Sequence, residues 1–355
     1  MSKPAKKIYI IAGEPSGDFI GCYILRKLKS QSVKIFGVGG PLMESEGLTS
    51  LFDIVHTSVG GLIEVIPHIF KIKKLMRKTV NDIIDKEPDI VLTIDSPGFC
   101  FNIAKVLRKH KLTIRLIHVV APSVWAWRPG RAKKLVKLYD KLLTLFEFEP
   151  IYFTKYGMDA ECIGHPAMEV FAEKGKTEAK EEILLLMPGS RSSEIKKMLP
   201  IFVEASRGYE AKRVIIPTLK HLVPLVNHFI KNRNIEVISD ESEKIKLYKK
   251  AKLAFVASGT ATLQLAVAGC PMIVCYKLNK LTYLLLKLFV KTKYISLVNI
   301  VLNKMVVPEL IQDYCNIGNI KNEIKKLEYQ DQIKHFKLIQ EKVIKNNNLV
   351  KSILN

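Results

Sequence analysis

The sequence predicts an α/β protein with two parallel sheets, on three observations. Short, mostly apolar runs recur at residues 8–12, 34–38, 90–94, 114–120, 183–187, 213–217, 253–257 and 271–276. Amphipathic or charged stretches of helical length separate most of them. Strands covered by helices on both faces read as continuous apolar runs, so this alternation implies parallel sheets with helices on either side. The rhythm also restarts after a Glu-, Lys- and Ala-rich stretch at residues 169–182, which divides the chain into two α/β halves.

The elements follow in order. Residues 8–12 are a buried strand, followed by a Gly/Pro/Ser loop and a helix over residues 19–29. Residues 34–38 form a second strand, closed by Gly39-Gly40-Pro41. Residues 90–94 and 114–120 are the next two, with a helix over 102–111 between them. Residues 142–146 and 160–164 read as shorter strands. In the second half, a strand at 183–187 runs through Pro188-Gly189-Ser190-Arg191 into a helix over 192–207. Strands at 213–217, 235–239, 253–257 and 271–276 continue the pattern. Beyond Gly318, apolar residues such as Ile320, Ile324 and Leu327 fall at helical spacing. The expected division is a first domain at 1–168, a second at 169–318, and C-terminal helices at 319–355 that pack back on the first domain or on a partner subunit.

Composition bounds the function. The chain has 355 residues, enough for two core-bearing domains. A net charge of +22 attracts nucleic acid, anionic membrane or phosphorylated ligands without choosing among them. The six cysteines are dispersed with no C-x-x-C pair, which suits reduced, buried thiols in a cytosolic protein. The histidines show no H-E-x-x-H spacing, so no metal site is expected. No signal peptide is expected, because the apolar run after Lys6 and Lys7 stops at Gly13-Glu14. No bilayer span is expected either, since residues 281–302 are broken by Lys287, Lys291 and Lys293.

Ligands of open α/β sheets bind beyond the carboxyl ends of strands, and four loops lie there. Gly13-Glu14-Pro15-Ser16-Gly17-Asp18 offers two acids, although Asp18 also suits a helix cap. Thr93-Ile94-Asp95-Ser96-Pro97 places an acid at a strand end, where it can be a general base or a turn residue. Gly189, Ser190 and Arg191 form a phosphate cradle at a helix start, with Arg191 adding a forked contact. Ser258, Gly259 and Thr260 repeat that pattern, so the two loops suggest one nucleotide held from two sides. None of these is a G-x-G-x-x-G or Walker sequence. Both tryptophans fall in residues 121–131, where rings and cations suggest a shaped rim for an anionic ligand. Residues 61–78 interleave apolar side chains with Lys71, Lys73, Lys74, Arg77 and Lys78, the composition of a segment lying on anionic lipid or of a core-facing helix.

In order along the chain, these motifs resemble one family, the lipid-A-disaccharide synthases. The matching runs are Ala12-Gly13-Glu14-Pro15-Ser16-Gly17-Asp18, Gly37-Val38-Gly39-Gly40-Pro41-Leu42-Met43, Gly61-Leu62-Ile63-Glu64-Val65 and Ile94-Asp95-Ser96-Pro97. They continue with Pro122-Ser123-Val124-Trp125-Ala126-Trp127-Arg128, Gly164-His165-Pro166, Leu186-Met187-Pro188-Gly189-Ser190-Arg191, Ala257-Ser258-Gly259-Thr260-Ala261-Thr262-Leu263 and Val307-Pro308-Glu309-Leu310. The Trp-containing run is the most specific.

The resemblance implies a GT-B type fold, two Rossmann-like doubly wound domains with a cleft between them. It implies inverting transfer from UDP-2,3-diacylglucosamine to 2,3-diacylglucosamine 1-phosphate, giving the β-1,6-linked lipid A disaccharide 1-phosphate and UDP without a cofactor. It places the enzyme peripherally on the anionic cytoplasmic face of the inner membrane of a Gram-negative bacterium, with a homodimer open and nucleic acid not a partner. Carried over by position, Asp95 is the candidate base and Glu14 assists. Arg191, Ser190, Gly189, Ser258, Gly259, Thr260, Gln264 and Asn299 are expected to hold donor or substrate. Trp127, Arg128 and Arg131 form the acceptor rim, and Leu62, Ile63, Val65, Ile66 and Ile69 the acyl or membrane contact. Three departures stand out. Gly98 replaces a second acid, Gln264 replaces a glutamate that can accept ribose hydroxyls, and Asn303-Lys304-Met305 replaces Gly-Arg-Glu, so Lys304 keeps charge without the planar fork. The alternatives are a UDP-sugar epimerase on the same fold and a basic nucleic-acid-binding protein, which explains the charge but not the glycine/hydroxyl loops.

Overall fold

The computed structural model describes residues 5–57, 66–110, 113–126, 129–171, 179–231, 233–279, 283–284, 292–343 and 348–355. The chain forms two compact units, one of Met1–Pro166 with the chain's last residues, the other of Ala167–Leu285 and Thr292–Val343.

The first unit contains β1 (Lys6–Ala12), α1 (Pro15–Leu28), β2 (Val33–Val38), α2 (Pro41–Ser45), α3 (Ile69–Lys86), β3 (Ile90–Ile94) and α4 (Pro97–Lys109). It continues with β4 (Arg115–Val119), α5 (Gly130–Leu135), β5 (Lys141–Thr144), α6 (Ile151–Thr154) and β6 (Asp159–Cys162). Its six strands are all parallel in the order β2-β1-β3-β4-β5-β6. β3 is buried at every residue, as its uninterrupted apolar run requires. Helices α1 and α4 start at Pro15 and Pro97, four and five residues before the expected starts at 19 and 102. Proline favours the first helical position, so each strand-to-helix loop shrinks to two residues.

The second unit contains α7 (Ala167–Val170), β7 (Glu181–Met187), α8 (Ser192–Ala205), β8 (Arg213–Pro217), α9 (Val223–Phe229), β9 (Glu236–Ile238) and α10 (Glu241–Lys250). It continues with β10 (Ala251–Ala257), α11 (Thr260–Val267), β11 (Met272–Tyr276), α12 (Leu297–Leu302), β12 (Glu309–Ile311), α13 (Ile317–Lys326) and α14 (Tyr329–Lys342). The parallel order is β12-β11-β10-β7-β8-β9. Helix α14 is fastened to β11 by Gln332, whose buried amide both accepts from the Met272 N–H (2.9 Å) and donates to the Met272 carbonyl (3.1 Å).

The last helix, α15 (Leu349–Leu354), belongs to the first unit and packs on α1. Arg115 at the start of β4 donates to the Ile353 carbonyl at 3.3 Å, and Lys6 at the start of β1 donates to that of Leu354. The six cysteines are free thiols, and all but the half-buried Cys162 are buried. No described helix is long and apolar enough to cross a membrane.

Candidate active site

In a doubly wound sheet, strand order reverses at one point, and a crevice opens beyond the carboxyl ends of the two strands flanking it. In the first unit these strands are β1 and β3. The loops that leave them carry Glu14 and Asp95, so the fold brings the two sequence-predicted acids to one place. Asp95 is half-buried. Its N–H donates to the Val119 carbonyl of β4 at 2.9 Å, and its Oδ2 accepts the Ser16 hydroxyl proton at 2.9 Å. Glu14 is the N-cap of α1, and its carbonyl accepts the Asp18 N–H. The two loops approach closely because residue 13 is glycine. A Cβ there would lie 2.8 Å from the Ser96 Oγ.

Backbone strain is concentrated at this edge. Asp95 (φ 51°), Ser96 (φ 45°) and Val120 (φ 77°) occupy the left-handed region. Each such residue costs about 1–3 kcal/mol, and such costs persist where surrounding structure enforces them, typically at functional sites. Below the turn lies a buried polar cluster that sequence reasoning missed. Thr93 Oγ1 is 2.7 Å from His118 Nδ1 and 3.0 Å from the Tyr139 hydroxyl, and Phe101 of α4 packs edge-on against the His118 ring. Burial pushes the His118 imidazole down to about 3, so it is neutral. The signal in the sequence was a histidine in the interior of a strand-like run.

A second missed group lies after β5. Glu149 is buried, and its Oε2 accepts the N–H groups of Leu145 and Phe146 at 3.0 Å each. Burial pushes its carboxyl up to about 7, against the pull of those N–H groups. Beside it, Trp125 meets Phe148 edge-on, and Phe148 stacks on Phe146.

Other expectations change. Asp18 does not face a ligand. It is 3% exposed and accepts the N–H groups of Gly40, Leu42 and Met43 at 2.8–3.0 Å, capping α2 rather than its own helix. That contact also accounts for the Gly39-Gly40-Pro41 run, since a Cβ on Gly40 would lie 2.5 Å from the Asp18 carboxylate. Arg131 is half-buried in the first turn of α5, whereas Trp127 and Arg128 lie outside the described residues.

Leu62, Ile63 and Val65 also lie outside the described residues, and the Ile66 backbone opens a 3-10 turn, Ile66–His68. Thr57 donates its hydroxyl proton to the Gly13 carbonyl at 2.8 Å, beside the acid-bearing loop. Along α3 the segment is not a single solvent-facing surface. Ile72, Leu75 and Met76 pack against the core, while Ile69 (36% exposed) and Phe70 (84%) face solvent beside the exposed Lys71, Lys73 and Lys74. A helix with a half-turn of apolar residues every three or four positions buries that stripe first.

In the second unit, the order reverses between β7 and β10. Their loops are Gly189-Ser190-Arg191 and Ser258-Gly259-Thr260, so the two predicted phosphate loops also meet at a switch point. Gly189 has φ 116°, and a Cβ would lie 2.2 Å from the Glu194 carboxylate. That carboxylate corrects the expected cradle. Its Oε2 already accepts the Ser190 and Arg191 N–H groups at 3.0 and 3.2 Å, and its Oε1 accepts from Tyr276 at 3.3 Å. The Arg191 guanidinium lies 3.5 Å from Glu194 and is one-third exposed. Ser258 gives its hydroxyl proton to the Ile295 carbonyl at 2.8 Å, so the side chain fastens its loop rather than donating to an anion. The exposed Gly259 and half-buried Thr260 open α11, where first-turn N–H groups lack intrahelical partners. Gln264 is half-buried one turn further on.

Asn299 does not present its amide to substrate. It is fully buried, and every hydrogen-bonding position is filled. Nδ2 donates to the Val307 carbonyl and Glu309 Oε1 at 2.8 Å each, and Oδ1 accepts the Val306 and Val307 N–H groups at 2.8 and 3.0 Å. Glu309 in turn accepts the N–H groups of Ile295 and Ser296 at 2.9 Å. Asn299 therefore ties the Val307-Pro308-Glu309 run, through Ile295, to Ser258. Lys304 contacts His335 at 2.8 Å on the surface. Among the described residues, no group of three His, Cys, Asp or Glu side chains is placed to hold a metal ion.

A family profile described as lipid-A-disaccharide synthetase matches residues 8–354. The lipid-A-disaccharide synthase of Rickettsia typhi is 42% identical over 337 residues, 91% of this chain and 89% of that protein. That of Rickettsia prowazekii is 41% identical over 355 residues, 96% of this chain and 93% of that protein. Among solved structures, a Methanocaldococcus jannaschii UDP-GlcNAc 2-epimerase in complex with UDP-GlcNAc and UDP superposes with a TM-score of 0.60 at 13% identity, covering 94% of this chain and 99% of that one. That likeness speaks to the fold, two parallel α/β sheets of the GT-B type. Family match and identity agree over nearly the whole length, and the chain belongs to the lipid-A-disaccharide synthase family of glycosyltransferases.

Proposed function

We propose that this glycosyltransferase moves 2,3-diacylglucosamine from its UDP donor to the 6-hydroxyl of 2,3-diacylglucosamine 1-phosphate, with Asp95 as general base. The Asp95 carboxylate takes the hydroxyl proton, the oxygen attacks the sugar C1, and the C1–phosphate oxygen bond breaks to release UDP. An α-linked donor giving a β-linked product requires in-line attack from the opposite face, and one base suffices. The observation that carries this reading is the half-buried Asp95 at the β1/β3 switch point, oriented by the Ser16 hydroxyl in a strained turn. Glu14 shares that edge and is assigned to acceptor positioning, with Arg131, Trp127 and Arg128 as the rim.

The second unit is assigned the UDP-sugar. Arg191 and the opening N–H groups of α11, at Gly259 and Thr260, take the diphosphate, and Gln264 faces the ribose. Fixed donors aimed at the leaving diphosphate stabilise its developing charge. Glu194 occupies the Ser190 and Arg191 N–H groups, so the guanidinium rather than the cradle backbone carries the first contact. Ile69 and Phe70, with the cations of α3, are assigned to acyl chains and the anionic membrane surface. Incubation with both acylated substrates followed by mass spectrometry tests the proposal. A disaccharide phosphate and stoichiometric UDP are expected, and folded protein yielding neither would refute it.

A further inference from the structure

We infer that His118 is a positioning residue for Asp95, acting through Thr93 and Phe101 to hold the strained Asp95–Ser96 turn in the orientation that proton abstraction needs. The inference rests on the reading of Asp95 as the base. Thr93 and His118 are register partners on adjacent strands β3 and β4, two residues short of Asp95 and Val120. All three left-handed non-glycine residues of this edge, Asp95, Ser96 and Val120, therefore begin within three residues of this pair. His118 touches the strand before the turn and the helix after it. Its Nδ1 meets Thr93 Oγ1 on the strand before the turn. Its ring centroid lies 5.0 Å from that of Phe101, on the helix after the turn, and 5.0 Å from that of Tyr139, which precedes β5. The Asp95 N–H is then fixed to β4 through Val119.

The cluster is not a cheap way to fill a core. His118 is 0% exposed, and among the described residues its Nε2 meets no hydrogen-bond partner. Burying an unpaired polar atom is costly, and a leucine or phenylalanine would fill the volume without that penalty. What an apolar residue cannot supply is the Nδ1 contact that fixes Thr93, and hence the direction in which β3 enters the turn. A buried polar network rigidifies its surroundings to a single arrangement where apolar packing tolerates several.

The test compares His118→Leu, His118→Asn and Thr93→Val, alone and with Asp95→Asn, by steady-state kinetics on both acylated substrates and by thermal unfolding. Asparagine can return a polar atom to the Nδ1 position. His118→Leu is expected to lower kcat about tenfold or more, because small misplacements of a catalytic group cost that much. The KM for the UDP donor should stay within about twofold, since only proton abstraction is disturbed. His118→Asn should recover most of the loss, and Thr93→Val should repeat it. The Asp95→Asn/His118→Leu double variant should turn over no more slowly than Asp95→Asn, because both changes act on one group. If His118→Leu fails to fold, Thr93→Val is judged by the same criteria. Undiminished kcat in a folded variant, or losses that multiply with that of Asp95→Asn, would overturn the inference alone. An active Asp95→Asn would remove the base reading and this inference together.

Discussion

The Ser16 hydroxyl donates to Asp95 Oδ2 across the reversal point of the first sheet, joining the first turn of one helix to the end of another helix's preceding strand. One consequence is a graded pair of kinetic effects. Asp95→Asn should lower kcat by at least about a hundredfold, the usual worth of a general base, with donor KM little changed. Ser16→Ala should cost about tenfold, since it removes one hydrogen bond to a charged group. Steady-state rates on both variants check this, and an Asp95→Asn enzyme with a tenth or more of normal turnover would make Asp95 a turn residue.

Arg191→Ala should raise the KM for UDP-diacylglucosamine. A lost charge-assisted contact is worth about 1.5–3 kcal/mol, so a rise of about tenfold or more is expected. Competition by free UDP should weaken in parallel. Normal kinetics for both substrates would mark Arg191 as a structural residue beside Glu194.

Asn299→Ala should act on stability before it acts on substrate. It strands the Val306 and Val307 N–H groups in the interior, at about 1–3 kcal/mol each. Thermal unfolding should shift down by several degrees, with donor affinity falling as the Ser258 loop loosens. An unchanged melting curve with only KM altered would restore a direct ligand role.

Glu149 sets a pH dependence of opposite sign to that of most carboxylates. Its folded value of about 7 lies above the ordinary 4.5, so the native state keeps a proton that the unfolded chain has released. The associated stability is complete below the unfolded value and is lost as pH rises through about 7. Glu149→Gln should flatten that segment of a melting temperature against pH profile taken between about pH 5 and pH 8. Parallel profiles for the two proteins would show that Glu149 does not titrate there.

Phe70→Ser should weaken binding to anionic vesicles without moving the melting temperature, because the ring is 84% exposed. Leu75→Ser should do the reverse, since Leu75 packs on the core. Flotation and thermal unfolding of the two variants separate the outer and inner faces of α3. Equal vesicle binding by wild type and Phe70→Ser would remove this residue from the lipid contact.

Much of this architecture was legible because parallel strands leave a strong trace. β3 is apolar at Ile90, Val91, Leu92 and Ile94 because neither face meets water. β12 left almost none, being three residues long behind Pro308. Helices α1 and α4 begin before their apolar pattern does, because Pro15 and Pro97 are themselves helix-start residues. Site residues divide in a similar way. Asp95 and Arg191 stand out as candidates in the sequence because chemistry at a strand end has a positional rule. Asn299 is expected from the sequence to meet substrate, and its buried bonding could not be foreseen, because it depends on Val306, Val307 and Glu309 folding back on it. Glu194 was visible as an acid three residues into a helix, and its claim on the Ser190 and Arg191 N–H groups is the capping pattern that position favours. His118 was hidden by its apolar neighbours, and Trp127 and Arg128 lie outside the described residues.

The seating of α15 against Lys6 and Arg115 has a consequence for how the protein is made. Its residues 349–354 leave the ribosome after the whole second unit, yet they complete the packing around the strand formed first. A nascent chain halted anywhere before them holds an N-terminal sheet with one flank still uncovered. The packing of the acid-bearing half is thereby finished only after the nucleotide-assigned half has been made.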